Sequence, residues 1–255
     1  MFELKSKQDF NWAIFGKHPV AGDFLKAGHP TPVLNSFAKW MDKGHSQLGG
    51  DKESNPVLGW RFWAKGPNKE LICGILQSSE DKYARKYPLL VIGSGKNPEL
   101  IKNWHLIPYA CEGSWQQLAK LVNKKFQNIK ELKKYLKKTA APENNIQFLV
   151  EKNEKYRNVV LKSDPKIRHS DFMNKMNNIE ALTRRESFSV HIDVGDEKAP
   201  LVPVSKLFFL LKKRSSVAPQ AVFWGGGGNT KSLLCLKRQL AIEDFLKLTT
   251  NGTLD

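Results

Sequence analysis

Cysteine is scarce in this chain of 255 residues: Cys73, Cys111 and Cys235 are its only three, and no two are spaced as C-x-x-C. That scarcity argues against a disulfide framework and a thiolate zinc site, and predicts buried, reduced thiols. Long apolar runs are missing too. No stretch approaches the roughly 18 residues of a membrane-spanning helix, and the opening MFELKSKQDF lacks the apolar core of a secretory signal. A cytoplasmic protein with no membrane span is expected. Signatures of metal and nucleophile chemistry are absent as well: the six histidines form neither HExxH nor a pair four apart beside a carboxylate, and no serine stands in GxSxG. The expectation is therefore no catalytic residue, no metal and no cofactor. Acidic residues are the last shortage, 25 Asp plus Glu against 41 Lys plus Arg, which leaves a net +16.

What is present is apolar material for a core, 40% hydrophobic residues including 7 Trp and 14 Phe. The excess charge is concentrated: Lys120 to Arg185 holds 17 basic and 7 acidic residues, a local +10. Strong positive charge attracts nucleic acid, anionic lipid or an acidic protein through the same long-range field, so the total alone does not choose among them.

Apolar spacing gives a coarse order of elements. NWAIFG (Asn11 to Gly16) reads as a strand, and Gly16 to Pro30 as a loop. Thr31 is an N-cap with Pro32 behind it, opening a helix whose Leu34, Phe37, Trp40, Met41 and Leu48 share a face until Gly49 and Gly50. GWRFWAK, ELICGIL and YPLLVIG follow as strands. Ser114 and Gln117 have capping-box spacing, predicting one long helix over 115–138 with Trp115, Phe126 and Tyr135 on the apolar side and a lysine face opposite. Beyond Pro142, IQFLV and RNVVL are expected as a strand pair, then a short helix from Asp171. ESFSVHIDV alternates as a half-buried strand, and a helix around Val204 to Lys213, a strand QAVFW and a terminal helix from Leu233 follow. One domain over 1–255 is expected, with no internal repeat.

Three features invite a chemical reading. WGGGGNTKS (Trp224 to Ser232) resembles a phosphate-binding loop, but Thr230 stands where that signature has glycine, and too little chain follows for the strands such enzymes place downstream. A turn is the simpler reading. His191 and Asp193 share one strand face, which reads as solvated. The lysine face, with Lys124, Lys130, Lys134 and Lys138, suits a solvated surface or an acidic partner better than nucleic acid, because its aromatics point the other way. A nucleic-acid-binding module using the 115–138 helix is kept as the alternative function.

The most specific stretch is IFGKHPVAGDFLKAGHP, Ile14 to Pro30. Gly16 and Gly22 permit tight turns, and Asp23 is short enough to accept from nearby amides. Gly16, Lys17, Pro19, Gly22, Asp23 and Phe24 resemble the G-K-x-P-x-x-G-D-F opening of the TagF (ImpM) family associated with type VI secretion. Trp40, then Pro56 with Trp60-Arg61-Phe62, then Gly74, Leu76, Ser79, Asp81, Arg85, Pro88 and Leu89 follow in the family's order. Ser78 replaces that pattern's proline and Ala84 its glycine. The resemblance is good over about residues 12–95 within a family-like N-terminal part, 10–140, and weaker over 143–255, and Lys120 to Arg185 carries no matching motif. Asp81 and Arg85 are four apart, the spacing of an ion pair on a helical turn.

The resemblance implies a three-layer α/β sandwich: a central mixed, largely antiparallel sheet with helices on both faces. It also implies a cytoplasmic, non-enzymatic accessory protein of a type VI secretion system. Its mode would be post-translational negative regulation by binding a forkhead-associated scaffold protein, with other type VI regulatory or structural components as further candidate partners. Gly16, Lys17, Gly22, Asp23, Asp81 and Arg85 are the candidate partner-binding residues, expected to shape one surface.

Overall fold

The structure, a computed structural model, describes residues 10–48, 58–163, 184–192, 207–209, 211–213, 217–226 and 231–250. Eight strands form one sheet: β1 (Asn11–Gly16), β2 (Leu25–Gly28), β3 (Gly59–Lys65), β4 (Glu70–Gln77), β5 (Leu89–Lys96), β6 (Ser187–Ile192), β7 (Ala221–Gly225) and β8 (Lys231–Leu236). Their order is β2-β1-β5-β4-β3-β7-β8-β6, and every described pairing is antiparallel.

Both faces of this sheet are covered, so its central strands are apolar almost throughout, unlike a sheet with one wet face. Alternate residues serve opposite cores. Trp12, Ile14, Trp63, Cys73, Ile75 and Val91 face one layer; Ala13, Phe15, Phe62, Ile72, Leu76 and Leu90 face the other. The first layer is built from α2 (Pro98–Lys102), α3 (Ile107–Asn123), α4 (Ile129–Lys137) and α5 (Ile146–Ser163); the second from α1 (Pro32–Ser46) and α6 (Ile242–Thr249). This is the three-layer sandwich.

α1 begins as its sequence signals require, with Thr31 Oγ1 accepting from Leu34 N–H and Pro32 in the first turn. The indole of Trp40 donates to Ala241 O at 2.8 Å and that of Trp60 to Leu248 O at 2.9 Å, tying α6 to α1 and to the sheet. Asp244, buried, accepts from Ala241 N–H and from the two terminal guanidinium nitrogens of Arg238, which fixes the start of α6.

Several expectations are corrected. The single helix over 115–138 is two, because the chain turns extended at Lys124 and Asn128 caps a new start by accepting from Glu131 N–H. Ser114 and Gln117 form no cap there: α3 already begins at Ile107, and these side chains instead bond the backbone of Ala140, clipping α3 to the end of α4. IQFLV and RNVVL lie on one helix, α5, whose first turn is held by Asn145 accepting from Phe148 N–H. KSLLCL is strand β8 rather than helix, and β2 interrupts the predicted 16–30 loop. The glycine run leads into a strand antiparallel to β7, with Gly225 opposite Ser232, so no helix N-terminus follows Lys231 to hold a phosphate. The helix from Asp171 and the residue Asp193 lie outside the described residues, and of the 204–213 segment 207–209 and 211–213 are helical.

Candidate functional site

Strand register decides which loops meet. Leu89, at the start of β5, lies opposite both Gly16 at the end of β1 and Gln77 at the end of β4. The loop 17–24 and the loop 78–88 therefore leave the same end of the sheet side by side. Gly16 makes the approach possible: its φ is +113°, and a Cβ there would fall 2.0 Å from Pro88 O. No L-residue fits both the dihedral and the contact.

Asp81 is the centre of the arrangement. Its side chain has no solvent exposure, and it accepts four bonds or ion contacts. Oδ1 takes Tyr83 N–H at 2.9 Å and Arg85 N–H at 3.0 Å; Oδ2 takes Arg85 Nε at 2.8 Å and faces Lys17 Nζ at 3.2 Å. The 81–85 segment is a tight loop shaped by this carboxylate, not the helical turn expected from the spacing. Burial alone pushes the Asp81 carboxyl up, but the Arg85 and Tyr83 amides, with the Lys17 and Arg85 side chains, outweigh it and hold the group at about 2.

Cross-links complete the joint. Arg85 Nη2 donates to Gly22 O at 2.6 Å and lies 3.7 Å from Asp23 Oδ1, while Lys82 N–H donates to Ala21 O at 2.9 Å. Asp23 accepts from Phe24 N–H at 2.8 Å and is otherwise exposed. Gly22 faces the Lys82 and Tyr83 side chains, and a Cβ would sit 3.0 Å from Lys82 Cε. Ala84 has φ +58°, the left-handed conformation that explains glycine in the family pattern at this position. The structure brings all six sequence-predicted residues together in the two adjoining loops, with Gly16, Lys17 and Asp81 buried and Asp23 and Arg85 exposed.

Two aromatic rings crown it that residue spacing did not single out as a pair. Phe24 is 59% exposed and Tyr83 64% exposed, against a chain whose other large apolar side chains are mostly buried. Phe24 stands edge-on to Tyr87 at 4.5 Å with the Lys17 ammonium 5.4 Å from its ring; Tyr83 lies under Lys82 and Arg85 at 4.8 and 5.5 Å. Tyr87 donates its hydroxyl to Asp42, and burial together with that carboxylate pushes its phenol upward. The signal that could have found this pair was the placement of aromatics inside two turn-rich segments, Gly22–Asp23–Phe24 and Asp81 to Arg85.

The basic surface is not one straight helix face. Lys124 lies at the break, its ammonium 3.2 Å from Glu131 Oε1 and over the rings of Phe126 and Tyr135. Lys130 and Lys134 are on α4 and Lys138 caps its end, all three exposed. Phe126 in turn packs on His18 of the 17–24 loop, ring centres 5.7 Å apart, so the α3–α4 connection braces the loop face from behind.

Among the described residues no His, Cys, Asp and Glu group could hold a metal ion, and no helix is long and apolar enough to cross a membrane. The fold and this face define an α/β sandwich that presents two interlocked loops at one end of its sheet. Residues 13–141 match the model of the TagF N-terminal domain, described as type VI secretion system-associated. The chain belongs to that family and is a type VI secretion accessory protein. The crystal structure of PA0076 from Pseudomonas aeruginosa PAO1 is similar in fold, with a TM-score of 0.53 and 12% identity over 96% of each chain. No curated protein matches the sequence.

Proposed function

We propose that this protein is a non-enzymatic, cytoplasmic negative regulator of type VI secretion, which binds a forkhead-associated scaffold protein through the face formed by the 17–24 and 78–88 loops. The observation that supports this reading is that exposed Phe24 and Tyr83 stand on two loops joined by the buried Asp81 carboxylate and its Lys17 and Arg85 partners. Aromatic anchors with an arginine beside them, held on rigid backbone, are the composition of binding hot spots, and a pre-ordered loop loses little entropy when a partner docks. The Asp81 cluster supplies that order.

The test is affinity capture of the forkhead-associated scaffold from cells holding the full secretion cluster. Phe24→Ala with Tyr83→Ala should cut capture at least tenfold, since paired hot-spot aromatics each cost about 2 kcal/mol or more on truncation, while the melting temperature changes little because both rings are exposed. Asp23→Ala and Arg85→Ala should weaken it as well. Undiminished capture by all three folded variants removes this face from the interaction.

A further inference from the structure

A second surface lies at the sheet edge, away from the loop cluster. An open groove of about 890 Å³ runs between β2 and α4. Its floor includes Trp12 and Leu136, and its walls carry Lys133, Lys137 and Lys138, while Lys26 lines it along the strand and sends its ammonium to the other face of the sheet, 5.8 Å from the Phe15 ring. No carboxylate lines it, and none of these four lysines has an ion pair among the described residues. Trp12 is 5% exposed, yet its indole N–H has no acceptor among the described residues. The buried indoles of Trp63, Trp104, Trp115 and Trp224 also lack an acceptor among the described residues, so the groove is marked by its charge and its strand edge rather than by this donor.

The groove also borders an unpaired strand. Among the described residues β2 is the first strand of the sheet, bonded to β1 on one side only. His29 N–H donates to Trp12 O, and the register pairs Ala27 with Ile14 and Leu25 with Gly16. Antiparallel alternation then turns the backbone N–H and C=O of Lys26 and Gly28 toward the open edge. Both residues are exposed. Such an edge is a template for an added strand unless it is blocked. Lys26 offers charge there and no block by proline or bulge.

We propose that this groove docks an extended acidic segment of a partner protein. The segment adds a strand to the outer edge of β2, its carboxylates meet Lys133, Lys137 and Lys138, and one apolar side chain seats over Trp12 and Leu136. The charge of the walls selects the occupant. The chain's own first nine residues carry Lys5 and Lys7 against Glu3 and Asp9 and so offer no net negative charge. A second copy of a +16 chain is repelled for the same reason. The proposal shares no residue with the loop face and stands or falls separately from it.

The experiment titrates the full chain into a fluorescein-labelled nonapeptide of alternating glutamate and valine, with a lysine and valine version as control, and reads anisotropy. The acidic peptide should bind saturably, more weakly as salt rises, and the basic one not at all. Lys133→Glu with Lys137→Glu should weaken binding about tenfold or more. Lys26→Pro removes an outward N–H that no ladder bond uses, so it should fold and should lose clearly more affinity than Lys26→Ala. Phe24→Ala with Tyr83→Ala should leave peptide binding unchanged, which separates this site from the loop face.

Absence of saturable peptide binding by a folded protein overturns the proposal. So does equal affinity of Lys26→Pro and Lys26→Ala, which would leave charge without strand addition. Preference for single-stranded RNA or phosphatidylglycerol vesicles over the peptide, with the same lysine dependence, overturns it in favour of another polyanion. A concentration-dependent dimer in sedimentation that Lys26→Pro abolishes overturns it in favour of a second copy.

Discussion

The Lys17 ammonium lies 3.2 Å from the Asp81 carboxylate, with side-chain exposures of 9% and 0%, and this contact joins two loops that are distant in the chain. An exposed pair of this kind contributes little, but here both partners have left water. Asp81→Asn removes the charge while keeping the shape. It should lower the melting temperature by several degrees, and the loss should be larger than for Asp23→Asn, whose carboxylate is exposed. The sign with pH is fixed by the depressed carboxyl: its stabilisation is fully present above the ordinary carboxylate value of about 4 and is lost as pH falls toward about 2. Urea unfolding between pH 5 and 2.5 should show a steeper loss for wild type than for Asp81→Asn. Parallel curves would mean the cluster does not hold its charge in the fold.

Gly16 and Gly22 look alike in the motif but meet different demands. Gly16→Ala forces a Cβ into Pro88 O with φ at +113°, and the neighbouring backbone has no room to give. A cost of about 3 kcal/mol or more is expected. Gly22→Ala meets only the flexible end of Lys82, so its cost should stay near about 0.5 kcal/mol. Chemical denaturation of both variants checks the contrast, and equal effects would contradict the loop packing.

Ala84 has φ +58° in a turn where the family pattern carries glycine. An L-residue held in that region costs about 1–2 kcal/mol relative to an unstrained backbone. Part of it returns as lower entropy of the unfolded alanine chain. Ala84→Gly should therefore stabilise by about 0.5–1 kcal/mol, seen as a higher denaturation midpoint with an unchanged slope. A destabilised variant would show that the strain is absent.

Much of this arrangement was legible in the sequence, for reasons that differ from element to element. The Thr31-Pro32 cap and the Leu34, Phe37, Trp40, Met41 face placed α1, and strand-length apolar runs between turn residues placed β1, β3, β4 and β5. The later helices were harder. IQFLV is a short apolar run that periodicity cannot assign to helix or strand, and only Asn145 ahead of it marks a helix start. KSLLCL posed the same ambiguity in reverse, because a strand buried on both faces loses its alternation. Asn128 with Glu131 was the overlooked signal for the break before α4. The six candidate residues came from the resemblance rather than from spacing. Their meeting depends on the register of β1, β5 and β4, which no single segment encodes.

His18 gives the last test. It is 1% exposed inside the 17–24 loop, its Nδ1 accepts Val20 N–H at 3.1 Å, and its ring rests on Phe126. Burial lowers its proton affinity, with the nearby Leu121 carbonyl opposing only in part. The folded state therefore prefers the neutral ring, while the unfolded chain takes a proton near the ordinary value of about 6.5. Stability from this residue is complete above that pH and declines as pH falls below it, by at most about 1.4 kcal/mol per pH unit. His45 and His105 are lowered by burial as well and act in the same direction. His18→Asn retains an acceptor for Val20 but cannot titrate. Its urea midpoint should fall less between pH 7.5 and 5.5 than that of wild type. This window lies well above that of Asp81, so one pH series distinguishes the braced histidine from the buried carboxylate. An equal decline in both proteins would place His18 in contact with water.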